Sequence, residues 1–572
     1  MKNALTGLPW RRLYRIGKPF WVSEKCVPAL LHLVGVLCLL FGNAWVMVYM
    51  NSTAGHFMTS IEQRNDADFH HYLIMSALLI LAVTPLQVFY GYLRTRLALL
   101  WRNWLSSSLF DGYFANLAYY KLLRNKDVDN PDQRMSQDVD SFANSSVGLF
   151  ISILDSAVNG VMMVGVLWAI SPLLTGTVIA YSAIGSLIVV VIGRSLVNLQ
   201  FQQVKTEADL RFGAAEVRRE AETIAFYRGE DIAKSQTKTR LGLVIRTLLD
   251  MAGVYRNIQL FTTPYNMLIG LIPAAVMAPA YFRHEIPFGT ITMATMAFAA
   301  IFNGATFLIG QFGGITNYTA IINRLGSFVE ALDAAGIEQQ PPGKYIEVFD
   351  GDTITFEKTT VVTPDQARML VNELTVKVPL GQSLLITGAD GVGKTALLRV
   401  IAGMWNAGSG RLTRPPSSQL MFLTQNPYLP PTTLREAICY PGTNLCPDDE
   451  RLMQVLRMVN LNDLIARSGN LDTVQNWRDM LSLSEQQRLC IARIIQHNPK
   501  YVVIDEATSA LEPEAEHLFY TLLRTLGTTV VSAGNGMTLA KYHTQVLELL
   551  GDGYWKSYPA SNFKPREFKR GD

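Results

Sequence analysis

Charge is scarce in this chain. Only 17% of its 572 residues are Asp, Glu, Lys or Arg, and 49% are hydrophobic, a balance too greasy for a wholly soluble enzyme. The net charge of +3 is small; it belongs to residues flanking a membrane and excludes nucleic acid as a partner. Cysteine is sparse as well. Cys26, Cys38, Cys439, Cys446 and Cys490 show no paired metal-ligand spacing, so neither a disulfide nor a metal cluster is expected. Repeats and long low-complexity tracts are also lacking, which leaves ordinary domains to account for the length.

The apolar residues are concentrated in the first half. Long runs cover about Val27–Met50, His71–Leu93, Phe142–Ile170, Leu173–Val197, Val254–Phe282 and Pro287–Phe312, each near or above the roughly 20 residues that cross a bilayer. Six spans are expected, the third and fourth forming a hairpin through Ser171-Pro172. Lys2, Arg11, Arg12, Arg15, Lys18 and Lys25 precede the first span, whereas the next loop carries Glu62, Asp66 and Asp68 against a lone Arg64. This places the N-terminus in the cytoplasm. Val27–Met50 is too long for the core of a cleavable signal and lacks a small-residue cleavage site, so residues 1–26 read as a cytoplasmic elbow with interfacial aromatics at Trp10, Phe20 and Trp21.

The loops from Arg94 to Asp140 and from Arg194 to Arg256 are basic, fall on the cytoplasmic side and show heptad-like apolar spacing, which predicts helices continuing out of the membrane. Residues 333–344, including Pro341-Pro342-Gly343, form a linker, dividing a membrane domain over 27–332 from a second domain over 345–572.

That second domain carries Gly388-Ala-Asp-Gly-Val-Gly393-Lys394-Thr395, which fits a phosphate loop. Gly388, Gly391 and Gly393 let backbone N–H groups, with Asp390 and Val392 between them, wrap the phosphates; Lys394 reaches the β- and γ-phosphates and Thr395 takes Mg²⁺. Ser383–Thr387 reads as the buried strand before the loop and Thr395–Gly403 as the helix whose N-terminus faces the anion. Tyr501-Val-Val-Ile-Asp505-Glu506 reads as a buried parallel strand delivering two acids to the sheet edge. There Asp505 would hold Mg²⁺ and Glu506 would polarise the attacking water.

With Leu481-Ser-Leu-Ser-Glu-Gln486 between these two elements, the order resembles that of ATP-binding-cassette ATPases. Together with Asn130–Phe142, Glu220–Glu230 and Gln425–Glu436, it resembles the half-transporters of the peroxisomal fatty-acyl group (subfamily D) and their bacterial relatives, which include peptide and cobalamin-like carriers. The likeness runs from about Phe20 to Leu550. It implies an exporter-type α-helical membrane domain of six transmembrane helices fused to an α/β P-loop ATPase, acting in a bacterial inner membrane as a dimer with a second half-transporter; the sequence does not choose between a homodimer, which the bacterial relatives favour, and a separate partner that would supply a standard signature to Glu506. It also implies ATP and Mg²⁺ as cofactors, Gln425 as the loop glutamine at the Mg²⁺, and Ser482 and Ser484 facing ATP on the opposite cassette. The cargo it implies is a peptide, a cobalamin-like molecule or an acyl lipid.

Three departures from the family pattern stand out. Ser484 replaces the Gly of the signature, Glu512 replaces the Asp of the loop after the acidic strand, and Asn535 replaces the switch histidine that follows Thr529–Gly534. Asn535 still donates a hydrogen bond but carries no titratable proton, and Ser484 adds a side chain where close approach favours Gly. Slow ATP hydrolysis is therefore expected. A second reading, a proton-coupled carrier or gated membrane protein in which ATP is regulatory, stays open on the same residues. No clear adenine-stacking aromatic precedes the phosphate loop: Thr363 falls near that place, and Tyr345 and Phe356 read as sheet residues.

Polar residues inside the spans mark the cargo path. Asp155 and Asn159 lie one helical turn apart in the third span, and an ionisable group at membrane depth faces a cavity or a partner. Asn303, Asn266 and Gln311 are further candidates. His32 reads as bonded within the bundle.

Overall fold

In lipid no water hydrogen-bonds the backbone, so apolar runs of this length fold as helices. The computed structural model of the protein describes residues 9–123, 130–336, 345–364, 366–442, 447–508, 512–534 and 536–563. Cys446, Asn535, residues 509–511 and residues 337–344 of the expected linker lie outside them. The chain divides into two units, Met1–Ile337 and Glu338–Asp572.

The first unit comprises α1 (Trp10–Val22), α2 (Cys26–Glu62), α3 (Asp66–Phe114), α4 (Val139–Ile170), α5 (Pro172–Arg219), α6 (Glu230–Phe282), α7 (Phe288–Gly310) and α8 (Phe312–Gly336). Among the described residues, 6 helices are long and apolar enough to cross a membrane. The first five expected spans fall inside them and the sixth overlaps Phe288–Phe307. The expected hairpin forms because Ser171 caps α5, its Oγ accepting the Leu174 N–H at 3.3 Å, while Pro172 occupies the first helical turn. With 48 residues, α5 runs about 70 Å, far beyond a hydrocarbon layer of about 30 Å. The helix therefore continues well beyond its apolar run. Between α5 and α6 the Glu220–Glu230 segment forms a short helix, Ala221–Tyr227, with Phe226 and Tyr227 exposed.

Two contacts fix the packing of this unit. Tyr181 of α5 and Tyr265 of α6 stack with ring centroids 4.0 Å apart, each hydroxyl donating to the other's carbonyl oxygen. Gly185 makes room, since a Cβ there would lie 2.3 Å from the Tyr265 ring. At the base of α4, Arg134–Asp138 forms a π-helical turn. Buried Asp138 accepts Arg134 at 2.8 Å and both Arg324 donors, from α8, at 3.0 and 2.7 Å. A buried carboxylate needs such partners.

The second unit is built on β1 (Glu347–Asp350), β2 (Ile354–Val362), β3 (Met369–Val378), β4 (Leu384–Gly388), α9 (Lys394–Ile401), β5 (Gly408–Arg414), β6 (Leu420–Thr424), β7 (Thr432–Thr433), α10 (Leu434–Cys439), α11 (Asp449–Met458), β8 (Val474–Gln475), α12 (Leu483–His497), β9 (Tyr501–Asp505), α13 (Pro513–Thr525), β10 (Thr529–Ala533), β11 (Gln545–Gly551) and β12 (Tyr554–Pro559). A six-stranded sheet in the order β12-β11-β4-β10-β9-β6 is parallel except for β12. Its central strands are continuous apolar runs because helices or the second sheet cover both faces. The second sheet, β1-β5-β2-β3, is mostly antiparallel and packs over α9 through Ile354, Phe356 and Leu397.

Candidate functional site

Strand β10 lies between β4 and β9, all three parallel, so the phosphate loop after β4 and the acids ending β9 meet at one sheet edge. The loop is glycine-shaped: Gly388, Gly391 and Gly393 have φ of 146°, 76° and 114°, values that L side chains rarely adopt. A Cβ on Gly388 would also lie 2.4 Å from the Leu549 carbonyl oxygen. Val392 is buried and anchors the loop, whereas the Asp390 side chain is exposed.

Lys394 opens α9 and folds back over the loop. Its Nζ donates to the carbonyl oxygens of Gly388 at 3.0 Å and Ala389 at 3.2 Å, and to Asp390 at 3.3 Å, with Glu506 at 3.8 Å. Thr395 Oγ1 donates to Asp505 Oδ1 at 3.2 Å. Across the sheet Asp505 registers with Thr424 of β6, which places the next residue, exposed Gln425, beside the same edge. Glu506 adopts the left-handed region with φ 51°, held by its N–H donating to the Ala533 carbonyl at 3.1 Å. This is a costly conformation for a non-glycine residue. The donor set is hydroxyl, carboxylate and amide oxygen, which suits Mg²⁺.

Ser482 caps α12. Its N–H donates to Glu485 Oε2 at 2.8 Å and its Oγ accepts the Glu485 N–H at 3.3 Å, the reciprocal pair that starts a helix. Arg467, 2.6 Å from Glu485 Oε1, holds that carboxyl below the usual carboxylate range. Ser484 follows on the first turn, and its Oγ accepts Arg488 at 3.5 Å. Arg488 also donates to the Asn460 carbonyl at 3.2 Å. Ser484, Arg488 and Glu512 line one cavity of about 350 Å³, so two of the three departures from the family pattern adjoin the same space. Arg488 ends the signature stretch in sequence, but only the fold, which brings α12 beside α13, shows that it faces this space.

Two further groups escaped the sequence reading. Arg493, buried on α12, donates to the Ala437 carbonyl at 2.6 Å and the Tyr428 carbonyl at 2.9 Å, tying the signature helix to the segment after Gln425. His543 lies behind β10. Its Nδ1 is 2.8 Å from the Leu539 carbonyl, an acceptor only, so the proton sits on Nδ1 and Nε2 accepts from Ser532 Oγ at 2.9 Å. Tyr520 then donates to Ser532 at 3.2 Å and is also bonded to Thr508, two residues beyond Glu506. Burial pushes the His543 imidazole down to about 4 and the Tyr520 hydroxyl up to about 12. The network joins the exit of the acidic strand to the strand that precedes Asn535.

Phe356 is buried in the sheet core and Tyr345 bridges Ala407, consistent with their reading as sheet residues. In the membrane unit, Asn159 Nδ2 donates to Asp155 Oδ1 at 2.9 Å, so these two satisfy one another. Helices α4 and α7 meet where Ser156 donates to the Gly304 carbonyl at 3.2 Å, which brings Asn303, exposed in this unit, onto the neighbouring helix. Asn266 is likewise exposed and Gln311 half-buried. His32 bonds the Pro28 carbonyl of its own helix at 2.7 Å, not a neighbouring helix.

Residues 20–282 match the family model described as ABC transporter transmembrane region 2, and residues 371–509 match that described as ABC transporter. An uncharacterized ABC transporter ATP-binding protein of Synechocystis is 37% identical over 93% of this chain and 82% of its own length. The chloroplastic ABC transporter D family member 2 of Arabidopsis thaliana is 30% identical over 94% and 86%. The human lysosomal cobalamin transporter ABCD4 is 30% identical over 94% of both chains. The chain therefore belongs to the ABC transporters of the subfamily D type: a six-helix membrane domain fused to a nucleotide-binding ABC ATPase domain, the layout of a half-transporter.

Proposed function

We propose that this chain is an ATP-driven transporter working as a homodimer in a bacterial inner membrane, with its N-terminus and ATPase domain in the cytoplasm. The observation that carries the reading is the meeting of Lys394, Thr395, Asp505 and Glu506 at one sheet edge. The cassette binds the triphosphate through the loop backbone from Gly388 to Thr395 and through Lys394. Thr395, Asp505 and Gln425 would hold Mg²⁺, which when bound neutralises charge on the phosphate oxygens.

Glu506 orients and polarises the attacking water at the γ-phosphate, and Asn535 donates a hydrogen bond there in place of an imidazole. Ser482 and Ser484 contact the nucleotide of the partner cassette, so each ATP joins two chains. Asp155, Asn159 and Asn303 line the cargo path. The cargo class is a peptide, a cobalamin-like molecule or an acyl lipid; a relative named for cobalamin transport makes cobalamin the first to test.

The test is ATP hydrolysis by the purified protein in lipid vesicles, wild type beside Glu506→Gln, with cobalamin, peptides and acyl-CoAs added in turn. Stimulation by one cargo, abolished in Glu506→Gln, is expected. Transport that survives Lys394→Ala but collapses with the proton gradient would replace this reading by a carrier that ATP only regulates.

A further inference from the structure

Helix α1 has two differently built faces. The inner one is a clamp: Arg12 donates through Nε and Nη2 to the two carboxylate oxygens of Glu330 on α8, at 3.1 and 3.0 Å, and through Nη1 to Asn323 Oδ1 at 3.2 Å. Position 326 is glycine, and a Cβ there would lie 2.6 Å from Arg12 Cδ. Arg15 pairs with Asp333 at 2.6 Å, one turn further along α8. Phe20, expected as an interfacial aromatic, is instead fully buried and stacks on Trp101 of α3 at 5.2 Å, because the bundle closes over it. Helix α1 is thus fastened to α8, the last helix before the cassette in the chain.

The outer face is different. Trp10, Arg11, Tyr14, Lys18 and Val22 are exposed and recur at the three- and four-residue spacing of one helix side. Lys18 lies over the Tyr14 ring at 5.2 Å. No Asp or Glu occurs between residues 9 and 22. This side carries positive charge and amphipathic rings, and only Ser23, Glu24 and Lys25 separate it from α2, the first span. Tethered there, the face meets the membrane surface, where aromatic rings sit at headgroup level and basic residues attract anionic lipid.

We propose that Trp10, Arg11, Tyr14 and Lys18 dock on anionic phospholipid headgroups, and that the Arg12–Glu330 clamp passes this docking to α8 and so to nucleotide turnover. The second half of the proposal rests on the ATPase reading above; the first does not. Each basic residue near an anionic surface is worth about a factor of five in lipid preference, roughly 25-fold for two.

The test of docking is the retention of phosphatidylglycerol against phosphatidylcholine by the purified full-length protein, read by native mass spectrometry. Wild type should prefer phosphatidylglycerol and Arg11→Gln/Lys18→Gln should lose that preference; equal retention by both proteins would overturn the docking. For the clamp, hydrolysis is compared in vesicles with and without phosphatidylglycerol. Glu330→Gln should keep the lipid yet lose the change in rate, and a rate response equal to wild type would overturn the coupling. Absence of a rate response in an active wild type would overturn it too, while docking would still be decided by lipid retention.

Discussion

Thr395 Oγ1 and Asp505 Oδ1 lie 3.2 Å apart although 110 positions separate them in sequence. Both groups point at the place where Mg²⁺ is proposed to sit, and each already orients the other. Thr395→Ala and Asp505→Asn should each weaken nucleotide binding by at least about tenfold when Mg²⁺ is present and far less when it is chelated. Titration with a fluorescent ATP analogue, with and without Mg²⁺, reads the difference. Equal weakening under both conditions would remove these residues from the metal site.

Ser484 contributes to its helix yet stands where the family pattern has glycine. Ser484→Gly removes the hydroxyl that accepts Arg488 and adds backbone freedom, which costs about 0.5 kcal/mol of stability in a helix. Hydrolysis should nevertheless rise, because in the proposed dimer the backbone there is freed to approach the partner's nucleotide. Thermal unfolding and turnover measured on one preparation should therefore move in opposite directions.

Arg493 satisfies two backbone carbonyls from a buried position. Arg493→Ala leaves both without a donor and should cost about 3 kcal/mol. Arg493→Lys, with no planar fork to span Ala437 and Tyr428, should recover only part of that. The denaturation midpoint of the purified protein checks the order wild type, Lys, Ala.

His543 makes the cassette sensitive to acid. Its pKa is held down at about 4 by burial, from an ordinary 6.5. The unfolded chain takes a proton below about pH 6.5 and the folded one only below about 4, so stability is full above 6.5 and falls as pH drops through that window. The loss amounts to about 3 kcal/mol. His543→Gln should be less stable at pH 7, with Ser532 poorly matched, and the gap to wild type should narrow towards pH 4. Parallel curves for the two proteins would sink the assignment.

The spans and the phosphate loop were legible in the sequence because each is a local pattern. Val27–Met50 is apolar over the length of a bilayer whatever surrounds it, and Gly388 to Thr395 encode their own backbone shape. Capping is equally local: Ser482 and Glu485 stand three residues apart and start α12 as such a pair does. The hidden residues are those whose partners arrive from elsewhere. Arg12 faces Glu330 from 318 positions away, Arg324 faces Asp138 from 186, and no spacing rule links them.

Sequence alone thus determined what is local: six apolar stretches, a loop that cradles phosphate, two acids ending a strand, and their order along the chain. Tertiary structure decided what each polar group faces. It set Ser156 against Gly304, placed Ser484 and Glu512 around one cavity and locked Arg12 onto α8. The physical reason is that backbone preference, capping and apolar burial act over a few residues or one helix face, whereas a hydrogen bond or ion pair between distant positions forms only where the packing of their elements brings the groups within about 3 Å.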